Sequence, residues 1–117
     1  MLTLGGSTQI FLVVEATDMR LSFNGLTAFV TNALGKDVRD GQLFIFSNRR
    51  RNRLKILFWD QGGLWVCAKR LERGTFAWPT ARTTSVEFTS EELTLLLGGI
   101  DLRDARSRRW YRQPIHS

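Results

Sequence analysis

Two apolar runs, Leu54 to Trp59 and Leu64 to Lys69, flank the four residues Asp60-Gln61-Gly62-Gly63. β-branched and aromatic residues on both sides of a glycine-rich break predict a tight β-hairpin. A third run, Leu43 to Phe46, precedes it across Asn48-Arg49-Arg50-Arg51-Asn52-Arg53. Strand, basic loop, strand, glycine turn, strand is an antiparallel meander. If Phe46 pairs with Lys55, Phe44 lies opposite Leu57. Alternation then places Leu43, Ile45, Ile56, Phe58, Trp65 and Cys67 on one face, and Phe44, Phe46, Leu57, Trp59, Leu64 and Val66 on the other. Both faces are apolar, and a single amphipathic helix covers only one. The second needs the first strand, a C-terminal helix or a partner.

The remaining segments supply those elements. Residues 8–14 are mostly apolar and predict a buried strand. Leu26, Phe29, Val30, Ala33 and Leu34 then fall at helical spacing and predict a helix over 22–34, with Ser22 as N-cap and Gly35 as stop. Gly25 in its first turn costs roughly 1 kcal/mol against alanine, which points to a close backbone approach there. Gly74 to Pro79 is a short extended piece, and Ser85 to Phe88 a further short strand. Thr89-Ser90-Glu91-Glu92 has the pattern of a capping box and opens a second helix near 90–98, stopped by Gly98-Gly99. The expected fold is therefore α+β in a single domain. An antiparallel β-meander of about five strands packs against one main helix, with a short C-terminal helix and a basic tail. The domain is expected over residues 1–102. Residues 103–117 form a basic tail in which Arg103, Arg106, Arg108, Arg109 and Arg112 surround Trp110 and Tyr111.

Composition narrows the function. The 117 residues carry a net charge of +6, and fourteen of the 17 basic residues are arginine. Arginine offers a rigid, permanently charged fork suited to phosphates and to guanine edges, so an anionic partner, nucleic acid above all, is expected. No stretch approaches the ~18 apolar residues of a membrane span, and the first residues lack a secretory pattern. A soluble, cytoplasmic protein is expected. The single cysteine, Cys67, fits a small core residue, and with His116 it cannot build a zinc site. The acids fall mostly in turns and at helix caps. Asp60 is the best single catalytic candidate and is more simply a turn residue. A nuclease would require acids to converge in space, such as Asp18 with Asp60. No nucleophile–base pair, phosphate-cradling glycine loop or cofactor motif is present. No enzyme activity, metal or cofactor is expected.

Nucleic-acid contact has the strongest physical case. Arg49, Arg50, Arg51 and Arg53 lie in one hairpin loop, and Lys69, Arg70 and Arg73 at the end of the next strand. Arg108 and Arg109 belong to the tail, beside aromatics able to stack on bases.

Motifs in order along the chain add a resemblance. Asp18, Met19, Arg20, Phe23, Gly25 and Leu26 give D-M-R-x-x-F-x-G-L. Lys55, Leu57, Trp59 and Asp60 give K-x-L-x-W-D, and Lys69 to Pro79 reads K-R-L-E-x-G-x-F-x-W-P. Leu93, Leu96, Leu97, Gly99, Ile100 and Asp101 close the set. Over about residues 8–102 the chain resembles the small TnpB accessory proteins of the insertion-sequence-sixty-six family of bacterial transposable elements. The resemblance implies a part in DNA transposition beside a separate large transposase, with DNA at the element ends and the transposase as partners, and carries over no catalytic residues. The alternative is a protein-interaction subunit that docks the transposase, or forms a homo-oligomer, through the doubly apolar meander.

Overall fold

The hairpin forms at Gln61 and Gly62, whose φ values of 48° and 86° are both positive. That is the turn geometry whose twist matches two antiparallel strands, and it lets both strands run longer than the apolar pattern alone. In the computed structural model, which describes residues 8–98, β3 spans Arg53–Asp60 and β4 spans Gly63–Arg70. Ahead of them come β1 (Ile10–Val13), α1 (Phe23–Ala33), a short 3-10 turn (Val38–Asp40) and β2 (Leu43–Ser47); after them come β5 (Ser85–Phe88) and α2 (Ser90–Leu97).

The fold is α+β, with one main helix and a short second one, as expected. The strand order is β4-β3-β2-β1-β5. The register has Phe46 opposite Lys55 and Phe44 opposite Leu57. One pairing departs from an antiparallel meander: β1 lies parallel to β2. Helix α1 connects them, and a strand–helix–strand crossover returns the chain in its original direction. β5 closes the sheet antiparallel to β1. Because β1 lies between β2 and β5, all four of its residues are buried, which accounts for its unbroken apolar run.

Each face of the sheet has its own cover. Phe11, Val13, Phe44, Phe46 and Leu57 pack under α1, which contributes Leu26 and Val30, both fully buried. Burying each of these side chains is worth roughly 1.5–3 kcal/mol. Phe11 stacks on Phe44 at 5.9 Å, and Phe29 meets Phe46 edge-on at 5.8 Å. On the opposite face Ile10, Leu12, Leu43, Ile45, Leu54 and Ile56 pack beneath Phe76, Leu93 and Leu96. The second apolar face is thus covered by α2 and by the strap that carries Phe76. Trp65 remains half exposed at 51%, stacked at 6.2 Å on a partly buried Phe58.

Local signals resolve differently. Thr89 and Glu92 form the reciprocal capping box, with Glu92 N–H donating to Thr89 Oγ1 at 3.1 Å and Thr89 N–H to Glu92 Oε1 at 2.9 Å. Ser22 occupies the N-cap position of α1, yet its side chain makes no capping hydrogen bond. Gly35 ends α1 at φ 64°. The close neighbour at Gly25 is a side chain, not backbone: a Cβ there would lie 2.7 Å from Leu21 Cδ2.

Candidate nucleic-acid interface

The loop between β2 and β3 is shaped by Asn48. Its Oδ1 accepts from the N–H groups of Asn52 and Arg53, each at 3.1 Å, and its Nδ2 donates to Asn52 Oδ1 at 2.7 Å. Arg51 sits within this loop at φ 57°, a left-handed conformation that a side chain rarely adopts. The turn points its guanidinium inward. Nη2 donates to the Val14 carbonyl at 2.9 Å, and the group lies 5.3 Å from the ring centre of Trp78. Trp78 in turn donates from Nε1 to the Val13 carbonyl at 2.9 Å. Burial holds the Arg51 pKa below its usual value.

The same knot fastens the strap that follows β4. Leu71 N–H donates to the Asn52 carbonyl at 2.8 Å, and Phe76 N–H to the Arg51 carbonyl at 2.7 Å. The arginine loop and the start of the strap, separated in sequence by β3 and β4, therefore meet at one end of the sheet. Arg49, Arg50, Arg53, Arg70 and Arg73 are all exposed there. Arg53 and Arg70 are direct cross-strand partners, and alternation puts them on the same face of the sheet as Lys55. Like charges set opposite one another on a ladder are unfavourable. Arg70 has a partial counter-ion, with Nε 3.2 Å from Glu72 Oε2. Among the described residues Arg49, Arg50, Arg53 and Arg73 have no side-chain partner. A groove lined by Met19, Arg53, Lys55, Lys69, Arg70 and Glu72 runs through this cluster.

Two expected contact residues are engaged by the protein itself. Arg51 is the clamp just described. Lys69 donates from Nζ to the carbonyl of Leu97, where a cation offsets the negative end of α2. The expected contacts Arg108 and Arg109 lie outside the described residues. Lys55, not among the expected contacts, lines the same groove and donates from Nζ to the carbonyls of Met19 and Leu21 at 2.8 and 2.7 Å. Its position two residues after Arg53 on a strand was the available signal.

The acids have local roles. Asp18 is paired with Arg20 (2.7 Å), and that hydrogen bond lowers its pKa to about 2. Asp37 repeats the arrangement with Arg39 at 2.8 Å, and its pKa is likewise lowered to about 2. Asp60 ends β3 at the hairpin turn. Among the described residues no three His, Cys, Asp or Glu side chains gather where they could hold a metal ion. Nor is any helix there long and apolar enough to cross a membrane.

Comparison with known proteins identifies the family. The profile described as IS66 Orf2 like protein matches residues 8–107. The uncharacterized protein y4hO of Sinorhizobium fredii is 36% identical over 103 residues, covering 88% of this chain and 90% of the relative. The uncharacterized protein y4jC of the same organism is 34% identical over 93 residues, 80% of each chain. No solved structure matches. The chain belongs to the IS66 Orf2-like family, and that membership suggests an accessory role in transposition. The family match runs past residue 102 to 107 and stops short of Arg108 and Arg109.

Proposed function

We propose that this IS66 Orf2-like protein is a non-catalytic accessory factor in DNA transposition that holds element DNA, or a transposase–DNA complex, by its phosphates. Arg49, Arg50, Arg53, Arg70 and Arg73 supply the contacts. Arg51 and Lys69 build the surface rather than bind, and Arg108 and Arg109 of the tail add further phosphate contacts. The observation that carries the reading is the meeting of two sequence-distant arginine groups at one sheet end, with Arg53 facing Arg70. A bound phosphate would relieve that repulsion and form charge-assisted hydrogen bonds with both guanidinium groups. The partner protein in this reading is the large transposase of the same element.

Fluorescence anisotropy tests it, with a duplex carrying the element's terminal inverted repeat and a scrambled duplex across a salt series. Binding that weakens steeply with salt is expected, and equal affinity for the two duplexes would restrict the role to phosphate contact. Absence of binding at low salt would overturn it. The half-exposed Trp65 favours a second reading, an interaction subunit without DNA contact. That protein would co-purify with the transposase and show no salt-dependent DNA binding.

A further inference from the structure

The two edges of the sheet are unlike. β5 is four residues long and carries Glu87, a short charged edge of the kind that discourages pairing. β4 is eight residues long, and among the described residues nothing pairs with its outer side. Its first five residues after the turn, Leu64 to Ala68, contain neither charge nor proline. The usual devices that blunt an edge are missing there. The Leu71 N–H bond to the Asn52 carbonyl fixes the hydrogen-bonding parity of the β3–β4 ladder. By alternation Leu64, Val66 and Ala68 turn their N–H and C=O groups outward.

We propose that β4 is the seam of a two-fold homodimer, in which a second copy of this chain pairs antiparallel with it about Val66. The occupant follows from what this register brings together. Val66 meets its own equivalent, and Leu64 meets Ala68 of the second copy. On the other face Trp65 meets Cys67 of the second copy, so Phe58, Trp65, Cys67 and Ile56 form one apolar row across four strands. The half-exposed Trp65 ring thereby gains its missing cover. The charges agree as well. Lys69 lies beside Gly63 of the second copy, whose own cross-strand neighbour is Asp60. The basic end of each strand thus meets the acidic turn of the other, whereas a parallel approach would press Lys69 and Arg70 against their equivalents.

The two-fold axis stands perpendicular to the joined sheet, so both Arg53–Arg70 clusters face the same way. At ~3.4 Å per residue the two Arg70 positions lie roughly 27 Å apart along the strands, close to the ~34 Å of one DNA turn. This consequence rests on the DNA reading; the seam does not.

Sedimentation equilibrium of the full chain without DNA tests the seam, so failure of DNA binding leaves the result intact. A species of twice the 13.4 kDa chain mass is expected. Ala68→Pro removes an outward N–H, and Ala68→Lys places a charge on the edge. Both should raise the dimer dissociation constant at least tenfold while circular dichroism stays unchanged. Cys67 and its equivalent become diagonal neighbours, with Cβ atoms roughly 7–8 Å apart, and a short bis-maleimide should join them. A monomer across the concentration series would overturn the proposal. So would a dimer indifferent to both Ala68 substitutions.

Discussion

Replacing Arg51 by alanine should cost far more stability than any neighbouring arginine change. Three contributions set the size. The bond from Nη2 to the Val14 carbonyl involves a charged donor, a class worth about 1.5–3 kcal/mol. The guanidinium at 5.3 Å from the Trp78 ring adds about 0.5–1 kcal/mol. The φ of 57° is unchanged by alanine, so no strain is recovered. The expected loss is about 2–4 kcal/mol. Arg51→Gly removes the same contacts but relieves the left-handed conformation, and should be less damaging than alanine by about 1 kcal/mol. Arg50→Ala, whose side chain has no partner among the described residues, should stay within about 0.5 kcal/mol of the parent. Urea denaturation followed by tryptophan fluorescence and by circular dichroism measures all three. If Arg51→Ala is no more destabilising than Arg50→Ala, Arg51 is not a clamp and rejoins the free arginines of the loop.

Other predictions concern local signals. Thr89→Ala breaks the capping box and should destabilise by about 1 kcal/mol in the same urea assay. Gln61→Gly should stabilise by up to about 1 kcal/mol, because Gln61 holds φ 48° in the hairpin turn. Gly25→Ala should shift stability by less than about 1 kcal/mol, since the helix-propensity gain opposes the contact with the flexible end of Leu21. NMR titration should find the Asp18 and Asp37 carboxylates at about 2, held down by Arg20 and Arg39. Their pKa values are lowered from 3.8, so the stability they contribute is complete above that pH and is lost as pH falls through about 2. Both ion pairs are exposed and the effect is small.

Much of the sheet was legible because its signals are local. A glycine turn between alternating strands fixes the β3–β4 register, and register decides which side chains share a face; Leu57 on one face with Val66 follows from that alone. The capping box spans four residues and forms as written. The parallel β1–β2 pair was also available, since a helix joins the two strands, but the meander pattern obscured it. Other features depend on distance in sequence. Arg51 finds Val14 and Trp78 only after the sheet and strap assemble, so within the run Arg49 to Arg53 it looks like its neighbours. Lys69 likewise meets α2 only in the folded chain. Exposure is equally non-local. Trp59 and Trp65 are both hairpin tryptophans, yet Trp65 projects near an open edge while Trp59 lies in a groove beside α1.

The salt dependence of DNA binding by the double variant Arg53→Gln/Arg70→Gln, compared with the parent chain, tests the central claim most directly. Removing two phosphate contacts should reduce the slope of log K against log salt by about 1.8. Circular dichroism should be unchanged, because the substitutions also remove a like-charge pair. A folded double variant with the parent's affinity and slope would contradict the assignment of this arginine pair to DNA.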